Sequence, residues 1–177
     1  MRERSDEDLM SAFSRGSMEA FEVLYERHRA SLYRYVMRKT GNAATANDLY
    51  QGAWEKVIKA REKYNPKVPF RAWLYRITHN HMVDFFRRTR QDIELQPEHF
   101  ESPLAEPDRQ AMMENRAESL ANAISQLPEE QKTVLLLKLE GGLSLDDIAS
   151  VTGVNRETAK SRIRYATSKL KNLLRET

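Results

Sequence analysis

The fold is decided by one stretch near the end of the chain, GGLSLDDIASVTGVNRETAKSRIRYA, residues 141–166. Ser144 is a good cap for a first helix, and Gly153 suits the turn that follows because glycine adopts a positive φ at little cost. Asn155 can then cap a second helix. This order of signals predicts a helix-turn-helix. Its shared core is expected to contain Leu145, Ile148, Val154, Ala159 and Ile163.

The second helix of the predicted motif carries cations on its outward face. The residues concerned are Arg156, Lys160, Ser161 and Arg164, with Arg162 on a flanking face. Such a helix can enter the major groove of DNA, where Lys and Arg bond guanine edges and further cations hold phosphates. A charge run alone is more often a solvated surface, but this run is joined to a helix-turn-helix core. We therefore predict that the helix binds DNA.

A second unusual stretch, PFRAWLYRITHNHMVDFFRR, occupies residues 69–88. It predicts one helix that begins near Pro69 and ends in the arginine cluster at residues 87–90. That helix combines stacking rings, hydrogen-bonding groups and cations, namely Arg71, Trp73, Tyr75, Arg76, His79, Asn80, Arg87 and Arg88. Aromatic stacking beside a positive track suits unpaired DNA bases. Taken singly, Phe70 and Trp73 are more typical of a core, so this prediction rests on the whole set.

The composition favours helices over a β-sandwich or barrel, because 31% of the 177 residues are charged and Gly and Pro number only 6 each. An acidic stretch with several prolines separates two regions of helical periodicity. We predict an all-α protein of two small helical domains joined by that linker. The expected boundaries are 1–92 for the N-terminal domain, 93–111 for the acidic, proline-containing linker and 112–177 for the C-terminal helix-turn-helix domain.

Capping signals also divide the first domain into helices. Ser5 and Ser17 are predicted to cap the first two, which end at Gly16 and Gly41. A third helix is predicted from residue 44 to residue 62, before the prolines that follow force a turn.

Together with NDLYQGAWEKV at residues 47–57, these stretches resemble the extracytoplasmic-function sigma factors of the sigma-70 family, and the likeness covers nearly the whole chain. In that family, stretches similar to residues 47–57 bind RNA polymerase, those similar to 69–88 melt the promoter, and those similar to 141–166 read its upstream element. The resemblance therefore implies an alternative sigma factor that binds core RNA polymerase and directs promoter-specific transcription initiation.

The resemblance also implies roles for single residues. The clamp of the polymerase's largest subunit is expected to contact Asp48, Tyr50, Gln51 and Trp54. The helix at 73–88 is expected to capture the minus-ten element, while the loop at 63–68 holds a flipped base. Minus-thirty-five contacts are expected at Lys138, Lys160, Ser161 and Arg164. The implied partners are core RNA polymerase, promoter DNA and an anti-sigma factor, and the linker is expected to thread the polymerase channel.

Two departures from the family pattern stand out. Asn47 and Gly52 occupy positions that are commonly Glu or Asp, so contact with a basic clamp is expected to be weaker. Phosphorylation of Thr45 would add negative charge there, although the simpler expectation is that Asp48 suffices. The second helix of the motif begins NRETAK rather than with the family's usual residues, so the family's promoter preference does not carry over.

Other classes of function fit less well. His79 and His81 are two residues apart and so face different sides of a helix, which excludes them as a helical metal pair. We expect no enzyme, no cofactor and no metal site. The alternative function is a conventional helix-turn-helix regulator that binds duplex DNA without polymerase. The chain has no Cys and no apolar run of membrane-spanning length, so a cytoplasmic protein without membrane insertion is expected.

Overall fold

The computed structural model describes residues 1–95 and 116–176, and every regular element within those ranges is helical. The predicted all-α class is thus confirmed. The helices are α1 (Asp6–Ser14), α2 (Met18–Thr40), α3 (Ala43–Lys59), α4 (Phe70–Leu95), α5 (Arg116–Ser125), α6 (Glu129–Leu139), α7 (Leu145–Thr152) and α8 (Arg156–Arg175). None of them is long and apolar enough to cross a membrane.

The predicted helix ends in the first half are largely confirmed. The Ser5 hydroxyl accepts a hydrogen bond from the Asp8 amide at 3.1 Å, and Gly41 ends α2 with a φ of 66°. The predicted end of the third helix at residue 62 was wrong. The helix stops at Lys59, and the chain tightens into a short 3-10 turn at Arg61–Lys63.

Helices α1 to α4 enclose one apolar core. Side chains from all four helices have almost no exposed area in it, including Leu9, Leu24, Leu32, Leu49, Phe70 and Leu74. Each such side chain stabilises the fold by about 1.5–3 kcal/mol relative to its exposed state. The core therefore fixes which side of α4 faces inward and which side is left for other contacts.

The start of α4 is capped by a residue from α1. Pro69 precedes the helix and has no capping side chain, and the amide of the fully buried Phe70 donates a hydrogen bond to Glu7 Oε1 at 2.9 Å. A carboxylate at this end of a helix also complements the helix dipole. The N-terminal helix therefore positions the first turn of α4.

The predicted helix-turn-helix is confirmed in α7 and α8. Ser144 accepts from the Asp147 amide at 3.1 Å, Gly153 adopts a left-handed φ of 70°, and Asn155 accepts from the Thr158 amide at 2.8 Å. Ile148 and Ala159 are buried between the two helices, while Leu145, Val154 and Ile163 are partly buried around them. Helices α5 and α6 complete this second bundle against α8.

The two bundles are in contact, with α6 and α7 packed on α2 and α4. Their apolar cores merge at this contact, where Tyr75 of α4 is completely buried. Helix α4 continues to Leu95, into the first residues of the predicted linker, and the domain boundaries stay predictions. The rest of the predicted linker, up to residue 111, lies outside the described residues.

Candidate nucleic-acid interface

The outward face of α8 is accessible and cationic, as the sequence predicted. Arg156, Lys160 and Arg164 are exposed, and Ser161 and Arg162 are partly exposed beside them. Two of these cations form ion pairs with acidic side chains: Arg156 lies 3.0 Å from Asp146, and Arg162 lies 3.4 Å from Glu130. These pairs involve exposed groups and are therefore weak, so a stronger anion can displace the acids.

A shallow cleft brings a residue of α6 to this face. Lys138 and Lys160 both line the cleft, whose volume is about 200 Å³ and whose floor is formed by apolar residues of α7 and α8. Lys138 is distant from α8 in sequence, and its side chain is exposed near the end of α6. The fold thus places the expected minus-thirty-five contacts from two helices on one surface.

The predicted minus-ten residues are divided between two sides of α4. Asn80, Arg87 and Arg88 are exposed, and Trp73 is half-buried with one edge against the Tyr64 ring, at a centroid distance of 5.0 Å. Tyr64 belongs to the loop at 63–68 and donates its hydroxyl proton to the Val68 carbonyl at 2.7 Å. This loop is therefore held next to the tryptophan that the sequence singled out.

Tyr75 lies on the opposite side, about 200° around the helix from Trp73, because each residue turns an α-helix by about 100°. Its hydroxyl is 3.2 Å from the Ser31 hydroxyl and 3.3 Å from the Glu140 carbonyl, and burial raises its pKa to about 12. His79 is also largely enclosed on this side, and burial lowers its pKa to about 4. In this arrangement, Tyr75 contacts the C-terminal bundle, and His79 is partly buried one turn further on, where the charge of Lys39 of α2 acts on it.

Two cations of the predicted set also contact the C-terminal bundle. Arg76 donates a hydrogen bond to the Ser150 hydroxyl of α7. The Arg71 guanidinium lies beside Gly142, where an added Cβ would come within 2.9 Å of its Nη1 atom. Gly142 has a φ of 61°, so glycine is favoured there by backbone conformation as well as by space.

The expected polymerase contacts on α3 do not share one face. Asp48 and Gln51 are exposed together, and Glu55, which the sequence analysis missed, continues the same face one turn further on. Tyr50 and Trp54 point the other way: Trp54 is only 5% exposed and packs edge-on against Tyr25 at 5.1 Å. Because an α-helix has 3.6 residues per turn, Asp48 and Gln51 lie on a different face from Tyr50 and Trp54. The same periodicity could have placed Glu55 on the face of Asp48 and Gln51.

Gly52 lies on that exposed face and is covered by the His81 ring of α4. A Cβ at Gly52 would come within 2.3 Å of His81 Nε2, closer than any side chain can approach. The His81 ring of α4 therefore fills the space that a side chain at position 52 would occupy. Burial lowers the pKa of His81, which favours the neutral form of this ring. Thr45 is half-buried in the first turn of α3, which contains no acidic residue.

The part of the chain that the structure describes contains no cluster of three or more potential metal ligands. His79 and His81 contact different neighbours, as their spacing predicted: charge from Lys39 reaches the former and charge from Lys56 the latter.

Known protein families match both halves of the chain. The sigma-70 region 2 model matches residues 24–91, and the sigma-70 region 4 model matches residues 117–170. The sigma-H factor of Pseudomonas aeruginosa is 31% identical over 99% of this chain and 99% of its own. The sigma factor CarQ of Myxococcus xanthus is 33% identical over 94% of this chain and 96% of its own. The ECF sigma factor SigM of Mycobacterium tuberculosis is 30% identical over 97% of this chain and 86% of its own.

Solved structures share the fold. CnrH, determined in complex with the cytosolic domain of CnrY, has a TM-score of 0.71 at 24% identity and covers 98% of this chain and 99% of its own. The sigma factor RpoE, in complex with the anti-sigma factor NepR from Bartonella quintana, has a TM-score of 0.74 at 21% identity and covers 89% of this chain and 98% of its own. The chain therefore belongs to the extracytoplasmic-function group of the sigma-70 family and is an alternative sigma factor that directs transcription initiation.

Proposed function

We propose that this alternative sigma factor divides promoter recognition between its two helical bundles. The N-terminal domain, predicted at residues 1–92, binds core RNA polymerase and the minus-ten element, and the C-terminal domain, predicted at residues 112–177, binds the minus-thirty-five element. The observation that carries this proposal is the convergence of Lys138 and Lys160 on one cleft of a helix-turn-helix, in the same chain as an exposed aromatic and cationic face on α4.

For the minus-ten element, the accessible groups are Trp73, Asn80, Arg87 and Arg88. The Trp73 ring, supported by Tyr64, is available for stacking on an unpaired base, a contact worth roughly 1–3 kcal/mol. The two arginines hold backbone phosphates further along the helix. Tyr75 lies on the opposite side of α4 and becomes accessible to DNA only when the C-terminal bundle moves away.

For the minus-thirty-five element, the start of α8 enters the major groove. Lys160 and Arg164 read base edges, and Arg156, Arg162 and Lys138 hold phosphates on either side. Asp146 and Glu130 are displaced when DNA binds, because exposed ion pairs contribute little.

For polymerase, the exposed face of α3 carries Asp48, Gln51 and Glu55, and two acids there suit a basic clamp surface. Tyr50 and Trp54 support this face from the core. Function then requires binding without a catalytic step or cofactor, and the protein acts in the cytoplasm with the polymerase. An anti-sigma factor is a further proposed partner, since the sigma factor RpoE, which shares this fold, was solved with the anti-sigma factor NepR.

The test is run-off transcription with bacterial core polymerase on a pool of genomic promoters. The wild-type protein is expected to produce discrete new transcripts. Lys160→Ala is expected to abolish them, whereas Lys171→Ala, an exposed lysine further along α8, is the matched control and leaves them unchanged.

Trp73→Ala tests whether transcripts are lost through a defect in promoter melting or through misfolding of the protein. This variant is expected to lose transcripts from duplex promoters and to recover them on templates whose minus-ten region is already unpaired, since stacking is needed to hold the opened strand. A protein that bound duplex promoters tightly by itself and produced no polymerase-dependent transcripts would instead be a conventional regulator.

A further inference from the structure

Three cations of α2 pair with residues of the C-terminal bundle, which leaves the Lys39 side chain 8% exposed, Arg38 25% and Arg34 52%. Arg34 Nε and Arg38 Nη1 bind the two carboxylate oxygens of Glu140 at 2.8 and 2.7 Å. Lys39 Nζ binds Glu129 Oε2 at 2.8 Å and the Thr133 hydroxyl at 2.7 Å. Each of these anionic contacts comes from a residue about a hundred positions later in the chain.

The packing of either bundle alone does not explain this arrangement. Glu140 is the residue that follows the last turn of α6, where an acid is disfavoured by the negative end of the helix dipole. Arg34 and Arg38 are one turn apart on α2, where like charges repel. Both costs are offset only by the contact between bundles, in which the Glu140 side chain is 8% exposed.

The paired cations of α2 lie beside the side of α4 that carries Tyr75, opposite Trp73. The Glu140 carbonyl accepts from the Tyr75 hydroxyl, whose neighbours include the charges of Arg34 and Arg71. Arg76 is engaged by α7 on the same side of α4. Cations of α2 and α4 therefore form one basic surface, which the C-terminal bundle contacts and partly covers.

We propose that Arg34, Arg38 and Lys39 form a second DNA-phosphate-binding surface, and that the carboxylates of Glu140 and Glu129 occupy it while the two bundles are in contact. The proposal rests on the proposed function, in which both bundles bind DNA. Arginine binds carboxylate and phosphate through the same planar donor geometry, so one anion can replace the other. When the bundles separate, all three cations become available to DNA phosphates on the side of α4 that carries Tyr75.

Variants on the two sides of the contact between Glu140 and the arginines of α2 distinguish this proposal from a simple packing contact. Glu140→Gln and the double variant Arg34→Gln, Arg38→Gln both remove the contact and are both expected to separate the bundles. Only the arginine variant removes groups that bind phosphate. Arg29→Gln is the matched control, because Arg29 lies on α2 but is paired with Glu26 away from the contact.

Separation is measured by energy transfer between dyes on two introduced cysteines, which are unique because the chain has none. Glu22→Cys in α2 and Ser168→Cys in α8 are exposed positions in different bundles. Glu140→Gln and the double arginine variant are expected to lower the transfer efficiency, and Arg29→Gln is expected to leave it unchanged. Unchanged transfer in Glu140→Gln would overturn the proposal that this contact holds the surface closed.

Phosphate binding is measured with a fluorescein-labelled single-stranded oligonucleotide of mixed sequence, titrated with the intact protein over a range of salt concentrations. Glu140→Gln is expected to bind about five-fold more tightly than wild type, because a larger fraction of molecules is open. The double arginine variant is expected to bind more weakly than Glu140→Gln. Its salt slope is expected to be lower by about 1.4, at about 0.7 for each lost phosphate contact.

Equal affinities and equal salt slopes for Glu140→Gln and the double arginine variant would overturn the phosphate surface and leave only a packing contact. This binding requires neither polymerase nor a promoter sequence. Its failure is therefore distinguishable from failure of the transcription assay, which tests the proposed function itself.

Discussion

Gly52 provides a direct test of the packing between α3 and α4. In the interior of a helix, Gly→Ala ordinarily stabilises a protein by about 0.5–1 kcal/mol, because alanine loses less backbone entropy on folding. At Gly52 the added methyl would lie 2.3 Å from His81 Nε2 and 3.0 Å from its Cε1 atom. The His81 ring is partly exposed and can turn aside, at a cost of about 0.5–1.5 kcal/mol for leaving its preferred rotamer.

These two effects nearly cancel in Gly52→Ala, so we expect its free energy of unfolding to lie within about 0.5 kcal/mol of wild type. In a His81→Ala background the clash is absent, and the same substitution is expected to stabilise by the full value of about 1 kcal/mol. The coupling between the two positions is therefore about 1 kcal/mol, which is typical of residues in contact.

The assay is urea denaturation of the four proteins of this cycle, followed by helical circular dichroism. Leu49 and Ala53, on the buried side of α3, are left intact, so the core is the same in all four. Additive effects, with Gly52→Ala stabilising both backgrounds equally, would refute the assignment of His81 to the space over Gly52.

Polymerase binding can be tested with the same pair. Gly52→Asp combined with His81→Ala restores an acid on the exposed face and is expected to bind core polymerase more tightly than His81→Ala alone.

Three further predictions follow from individual contacts. Glu7→Ala leaves the buried Phe70 amide without its acceptor and is expected to destabilise the protein by about 1–2 kcal/mol in denaturant titrations, whereas Glu7→Gln keeps an acceptor oxygen and should cost less. His79 has a pKa of about 4 when folded and about 6.5 when unfolded, so stability should fall as pH drops through this range, by on the order of 2 kcal/mol. His79→Gln should remove that part of the loss, and an unchanged pH profile would contradict burial of a neutral ring. Gly153→Ala is expected to lower the melting temperature, because its φ of 70° costs alanine about 1 kcal/mol.

Local signals predicted the features that depend on neighbouring residues. The caps at Ser5, Ser144 and Asn155 were correct because each side chain reaches an amide three residues away. The turn at Gly153 was correct because its backbone conformation favours glycine in any context.

The features that the sequence did not predict depend on distant contacts. Tyr75 and Trp73 both belong to an aromatic and cationic helix, and only the position of the second bundle determines that Tyr75 is covered. The family resemblance implied that Trp54 contacts polymerase, yet three aromatic side chains from α2 and α3 enclose it. Pairing of Arg34 with Glu140, 106 residues apart, leaves no periodic signal in the sequence.

The hydrogen bond between Glu7 and the Phe70 amide bears on how this protein can be dissected. The region 2 family match begins at residue 24, inside α2, so a fragment designed from that match would lack α1. It would lose the cap of α4 together with Leu9, Met10 and Phe13, and would expose the apolar surfaces against which they pack. Fragments intended for spectroscopy or crystallisation should therefore start before Ser5, and an affinity tag is better placed after α8 than against the residues that hold the first turn of α4.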